Sequence, residues 1–194
     1  SLDLATLDLT VGSLGVTNSG GIANSGTITQ STAGTTTILS SSAGAASIGG
    51  SGSTTFYNLT IAPAAASAPT ITLGTAGSQT INVSNTFTVG NSTDSVIVTS
   101  AVNDPTIDVN GNLLINTNGA FTSTGGNLSI ASNMTNNGTF THDSGTVTFD
   151  TTGTSILAGT GSPAITFNNL TAITSTKTLN FTAGQTFRVN GLLN

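Results

Sequence analysis

A short run of β-branched and aromatic residues recurs roughly every 8 to 10 residues along this chain, and Gly, Asn or Ser separates each run from the next. "QTINV" (79–83), "DSVIVTS" (94–100), "NLLIN" (112–116), "GTVTF" (145–149), "AITF" (164–167) and "QTFRV" (185–189) are examples, and "TTFYNLTI" (54–61) reads as one longer strand. Helix signals are weak throughout. Glu is absent, Lys and Arg together number two, and Gln is scarce, so the good exposed-helix formers are nearly missing. The spacing predicts an all-β chain of about twenty strands.

Such a chain has to cover its strands with something other than charge. Only 5% of the 194 residues are charged, against about 25% in ordinary globular domains, and Ser, Thr and Asn stand in their place. Hydrophobic residues make up 36% and Gly adds 24 residues. That is enough apolar material for a core, so a folded chain is expected rather than disorder. A net charge of −5 with two cations excludes a phosphate-tracking nucleic-acid binder. The same shortage excludes an anionic membrane surface as a partner. No apolar run approaches the about 18 residues of a spanning helix, so membrane insertion is not expected. With no Cys, a disulfide framework is excluded. The chain opens at Ser1 without Met, so Ser1 reads as a processed end or as a point within a longer polypeptide.

The chain resembles itself. "NSGTITQSTAGTTTILSSSAGAASIGGSGSTTFYNLTI" (24–61) aligns with "NNGTFTHDSGTVTFDTTGTSILAGTGSPAITFNNLTAI" (136–173), matching Gly26 to Gly138, Ile48 to Ile156, Phe56 to Phe167 and Leu59 to Leu170. "TAGSQTINV" (75–83) likewise matches "TAGQTFRV" (182–189). The period is about 111 residues, giving about 1.75 copies over a single unit, 1–194. "LTVG" (9–12) and "FTVG" (87–90) add a shorter echo.

Two architectures fit: a parallel β-solenoid, or β-helix, and a tandem pair of β-sandwich domains. The solenoid accounts for more. Its coils flank most strands with neighbours, turn short apolar side chains inward and leave Thr, Ser and Asn outside. Asn and Gly recur where corners need left-handed or tight backbone, and stacked hydroxyl and carboxamide groups can ladder along the axis without charge. A sandwich usually carries more aromatic residues than the 5% present here. On this reading Ile48, Phe56, Leu59, Ile61, Ile81, Val83, Phe87, Val89, Phe140, Val147, Phe149, Ile156, Phe167, Leu170, Phe181, Phe187 and Val189 point inward.

The residues 24–61 and 133–189, with their "NGTFT", "SGTVTF", "AITFNNLT" and "TFYNLTI" segments, resemble a repeat common in large secreted bacterial surface proteins. The resemblance implies a β-helical, adhesin-like or filament-like structure on the cell surface, and it supplies no catalytic residues. "IAPAAASAPTITLGTAGS" (61–78) is richer in Ala and Pro than that pattern, so a local loop or bulge is expected there.

The ionisable side chains are few enough to examine in full: Asp3, Asp8, Asp94, Asp104, Asp108, Asp143, Asp150, His142, Lys177 and Arg188. Asp143 and Asp150 lie close enough in sequence to meet as the carboxylate pair of a glycosidase, but they read more simply as solvated turn residues. His142 beside Asp143 suggests a dyad, yet neighbours along a strand face opposite ways. Asp108, Asn110 and Asn112 faintly resemble a calcium loop, although the central Gly and the distal Glu are absent; Asn110–Gly111 reads instead as a turn. No catalytic residue, cofactor or metal is therefore expected, and the chain is not read as an enzyme. Asn58, Asn82, Asn91, Asn127, Asn133, Asn137, Asn169 and Asn180 each open an N-x-S/T sequon, so they are N-glycosylation candidates or corner and ladder residues.

The expectation for function is a structural extracellular protein, a subunit or segment of a cell-surface filament that assembles with copies of itself head to tail. The alternative is an adhesin module that binds glycans or other cells. "SLDLATLDLTVG" at one end is the most leucine-dense stretch, and "FRVNGLLN" at the other stops part-way through the repeat. Leu2, Leu4, Leu7, Leu9 and Val11 are expected to meet a neighbour's Phe181, Phe187, Val189, Leu192 and Leu193, either by pairing with them or by insertion. The simpler expectation is that residues 2–11 form the first coil of their own solenoid.

Overall fold

The computed structural model describes residues 2–11, 21–40, 46–63, 68–75, 79–161 and 165–194. These form 24 strands and no helix. The chain winds as a parallel β-solenoid with three faces. The first face stacks β1 (Leu2–Asp3), β4 (Thr27–Thr29), β7 (Ser53–Phe56), β10 (Thr80–Val83), β13 (Thr106–Val109), β16 (Asn127–Ile130), β19 (Thr146–Phe149) and β22 (Asn169–Ala172). The second stacks β2 (Leu9–Val11), β5 (Thr35–Ser40), β8 (Asn58–Pro63), β11 (Thr86–Val89), β14 (Asn112–Ile115), β17 (Met134–Asn136), β20 (Gly153–Ala158) and β23 (Lys177–Phe181). The third holds β3 (Ile22–Ala23), β6 (Ala46–Gly49), β9 (Thr70–Leu73), β12 (Val96–Thr99), β15 (Gly119–Thr122) and β18 (Thr139–Thr141). β21 (Ile165–Phe167) and β24 (Phe187–Val189) pair with each other next to β18 and prolong that face. Every ladder is parallel, which rules out the antiparallel tandem sandwiches.

Register gives the true structural repeat. On the first face Leu2, Ile28, Thr54, Ile81, Ile107, Leu128, Val147 and Leu170 lie in one column, so successive coils take 26, 26, 27, 26, 21, 19 and 23 residues. The 111-residue self-similarity is out of step with this winding. β4 and its counterpart β18 are fourteen strands apart, which is not a multiple of three, so they fall on the first and third faces. β5 and β19, β6 and β20, β8 and β22 are displaced by one face in the same way. The physical reason is that all three faces demand the same in–out alternation, so a strand-and-corner unit serves on any of them. The shorter echo does follow the coil: Leu9, Thr36, Leu59 and Phe87 stand in one column on the second face.

The alternation is visible along each strand. In β11 Phe87 and Val89 are buried while Thr86 and Thr88 are half-exposed. Inward columns run as Phe56, Val83, Val109, Ile130, Phe149 and as Leu59, Phe87, Leu113, Met134, Leu157. Aromatic rings connect the faces through the interior. Phe87, Phe121, Phe140 and Phe167 follow one another with centroid separations of 5.6, 6.1 and 5.8 Å, the tilted geometries that ring quadrupoles favour.

Most of the expected core is inward, with informative departures. Ile156 is 45% exposed, because β20 presents Ser155 and Leu157 to the interior and turns Ile156 out. The match of Ile48 to Ile156 is thus one position out of register, and one position reverses a strand. Phe181 is 42% exposed and Phe187 and Val189 are half-buried. They do face the core, in register with Leu157, Ile165 and Phe167, but no further described coil lies over them. "TTFYNLTI" is two strands, β7 and β8, divided by a corner at Tyr57. In the Ala/Pro-rich segment, residues 64–67 and 76–78 lie outside the described residues, and Thr70–Leu73 between them is an ordinary strand.

Carboxamides close many of the corners, alongside Asp8 and Asp104, whose Oδ1 atoms accept the Thr35 and Gly125 N–H groups of the next coil, each at 2.6 Å. Between the first and second faces, Asn58 Nδ2 donates to the Gly34 carbonyl at 2.9 Å. Its Oδ1 accepts from Asn85 Nδ2 at 2.9 Å and from the Thr86 N–H at 3.3 Å. Asn112 Oδ1 accepts the N–H of Asn133, and Asn133 Oδ1 accepts that of Ile156 at 2.8 Å. Corner backbones approach so closely that Gly111 has no room for a Cβ, which would collide with the Asn85 carbonyl one coil below.

Candidate functional site

The chemistry-bearing side chains do not converge. Asp143 lies in the corner before β19 and Asp150 in the corner after it, so the strand separates the two carboxylates. His142 Nδ1 accepts the N–H of Ser144 at 3.3 Å, and Nε2 lies 3.3 Å from Asn190 Nδ2; its hydrogen-bond partners do not include Asp143. Asn110 Nδ2 donates to Asp108 Oδ2 at 3.2 Å, and Asn112 Oδ1 accepts the N–H of Asn133 on the next coil, so two oxygens of the calcium-like stretch are engaged by the protein itself. Among the described residues no group of three His, Cys, Asp or Glu side chains comes together. No helix there is long and apolar enough to cross a membrane.

One electrostatic cluster spans four coils near the corner between the first and second faces, from Asp108 in β13 to Lys177 in β23. Burial is the main cause that pushes the Asp150 carboxyl above its ordinary range, and the Asp108 carboxylate adds to it. A backbone hydrogen bond and Lys177 act the other way. Burial pulls Lys177 below the usual lysine range, opposed by Asp150. The Lys177 ammonium reaches back across two coils to the Ala131 carbonyl at 3.1 Å, meets Thr151 Oγ1 at 3.3 Å and stands 5.7 Å from the Phe149 ring centroid. This is a staple made by one long side chain.

The sequons are largely built into the coil. Asn58, Asn133, Asn137 and Asn169 accept backbone N–H groups of the next coil. Asn127 bridges Ser129 and Thr148, each at 2.7 Å. Asn91 caps its own turn through Thr93 and Asp94. Asn82 and Asn180 are the outward members of β10 and β23.

The two apolar groups at the ends of the sequence lie at opposite ends of the stack. At one end Leu2 and Leu7 are exposed and Leu4, Leu9 and Val11 half-buried. β1 and β2 pair with β4 and β5 of the same chain, so residues 2–11 are the first coil of their own solenoid. Their other edge is unpaired among the described residues. At the other end residues 192–194 lie along β22: Leu170 N–H donates to Leu192 O at 2.9 Å, and Ala172 N–H to Asn194 O at 2.8 Å. Leu193 sits over Leu170 and is 66% exposed. Leu193, Phe181, Phe187 and Val189 ring a hollow of about 370 Å³ together with Leu170 and Gln185. The Phe181 and Phe187 rings meet edge to face at 5.0 Å. Leu179, in the inward register of β23, also packs on the core and is missing from the expected set; the alternation within "KTLNF" carries that signal.

No family model matches the chain, and no curated protein or solved structure matches it.

Proposed function

We propose that this chain is a structural, extracellular protein of the cell surface, a subunit or segment of a filament built by stacking coils head to tail. The observation that carries the reading is the pair of matched ends. Leu193, Phe181 with Leu179, and Phe187 with Val189 hold the inward positions on the first, second and third faces at one end. Leu2, Leu9 with Val11, and Ile22 hold the corresponding positions at the other. Further coils set on either end, from a second copy or from more of the same chain, continue all three faces in order and cover both apolar groups. The rest of the molecule suits a rod, with parallel ladders, carboxamide corners and little charge. Secretion belongs to the same proposal, and no catalytic role is part of it.

The test is assembly of the purified chain, followed by light scattering and electron microscopy. Deleting residues 1–11 is a weak probe, because β4 and β5 would become an equivalent new edge. Charges on the two ends, Val11→Asp and Phe181→Asp, should each block fibres in a folded protein, while Ile156→Asp on an outer face should not. A wild-type chain that stays monomeric at every concentration overturns the reading.

A second reading, contact with glycans or other cells, draws on the third face. Ser47, Thr72, Thr99, Thr122 and Thr141 form one outward column of hydroxyls with no charge among them. A glycan array on wild type and Thr122→Val decides it.

A further inference from the structure

The sequence holds four Asn–Gly pairs: Asn110–Gly111, Asn118–Gly119, Asn137–Gly138 and Asn190–Gly191. Such a pair has chemistry of its own, because a glycine nitrogen, with no Cβ to crowd it, can attack the Cγ of the asparagine before it. An N–Cγ bond forms, the carboxamide nitrogen leaves as ammonia with the proton of the glycine N–H, and water then opens the succinimide to aspartate or isoaspartate. A glycine N–H held in a hydrogen bond is not free to turn towards Cγ, so the fold selects among the four. Three are held. Gly119 N–H donates to Asn116 O at 2.9 Å and Gly191 N–H to Asn168 O at 2.7 Å. Gly138 N–H donates to Asn136 Oδ1 at 3.2 Å, and Asn137 Oδ1 is itself engaged by the Thr160 N–H at 3.1 Å.

Asn110–Gly111, in the corner between β13 and β14, differs. Its neighbours are tied to the coils on both sides. Asn110 N–H donates to Val83 O at 2.8 Å and Asn112 N–H to Asn85 O at 2.9 Å, while Val109 O and Gly111 O accept the Ala131 and Ser132 N–H groups at 2.9 and 3.0 Å. The peptide unit between them, the Asn110 carbonyl with the Gly111 N–H, belongs to neither set and has no partner among the described residues. A peptide plane bonded on neither side can turn without breaking the coil. Asn110 is exposed, and its carboxamide makes one bond, from Nδ2, the nitrogen that would leave, to Asp108 Oδ2 at 3.2 Å.

We propose that Asn110 is a self-modification site of the folded protein, deamidated by attack of the Gly111 nitrogen on its Cγ. The site does not depend on assembly or on glycan contact. The corner accommodates the products poorly. Isoaspartate lengthens the main chain by one methylene where a Cβ on Gly111 would already collide with the Asn85 carbonyl. Either product replaces the donor to Asp108 with a second carboxylate, so a hydrogen bond becomes a like-charge pair beside Asp150. The folded chain is held at mildly alkaline pH, then digested, and its peptides are separated by chromatography and mass spectrometry that resolve aspartate from isoaspartate. Asn110 should convert about tenfold faster or more than Asn118, Asn137 and Asn190, whose glycine amides react only when the local structure opens. Isoaspartate should be among its products. In denaturing urea the four pairs should convert at similar rates. Tm should fall as Asn110 converts, and Asn110→Gln should prevent that fall. The proposal is overturned if Asn110 in the folded chain converts no faster than the other three, if the same ranking persists in urea, or if only aspartate forms, which marks direct hydrolysis by water. It is equally overturned if Asn110→Gln loses Tm on incubation as wild type does.

Discussion

Asn133 joins three coils: its N–H donates to Asn112 Oδ1 at 3.2 Å, and its Oδ1 accepts the Ile156 N–H at 2.8 Å. A carboxamide of this kind satisfies a β20 N–H on the side where β17 has not yet begun, alongside the shorter strand of the preceding coil. Asn133→Ala removes the acceptor and leaves the Ile156 N–H to water. A net loss of about 0.5–1.5 kcal/mol is expected in urea unfolding. Asn110→Ala, whose carboxamide makes only an exposed bond to Asp108 two residues away, should cost less.

Phe167 is fully buried and extends the aromatic row from Phe140. Phe167→Ala should cost about 3–5 kcal/mol. Ile156→Ala should lie within about 0.5 kcal/mol of wild type, because that side chain faces water. The same denaturation experiment measures both, and equal losses would contradict the register of β20.

Ser155 points into the core, fully buried, and its Oγ has no hydrogen-bond partner. Removing a buried hydroxyl that bonds to nothing costs little. Ser155→Ala should therefore leave Tm unchanged or raise it, where most core substitutions lower it.

Few groups titrate, so Tm should vary little between pH 3 and pH 8. The residual slope has a defined sign. Folding raises the Asp150 carboxyl above its unfolded value of 3.8. Its contribution is therefore fully present below that value and is lost as pH rises through the folded one. Acidification from neutral pH should hold or slightly raise Tm with respect to this group, and Asp150→Asn should flatten the slope. Lys177 is shifted down by burial, so its contribution is present above its unfolded value of 10.5 and is lost as pH falls through the folded one. A steep drop in Tm on acidification would contradict this account.

Strand content, inward alternation and corners rich in Asn and Gly were legible in the sequence because each depends on near neighbours. β-branched residues at every second position, closed off by Asn and Gly, can hardly be anything else. Parallel winding was inferable from composition, and the core positions of β7, β8, β10, β11 and β19 followed from alternation, whereas the buried residues of β9 and of β12 to β17 were not among those expected. Three things needed the tertiary structure. The coil length of 19 to 27 residues is set by which strands pair, and self-similarity misreports it because one strand unit fits any face. The corner at Tyr57 lies inside an apparently continuous strand, since a chain that turns between two sheets keeps the same apolar spacing on both sides. The unpartnered amide of Asn136 differs from the satisfied amides of Asn58 and Asn133 only in what adjacent coils bring to it. Those neighbours are about twenty or more residues away in sequence, at distances only the winding sets.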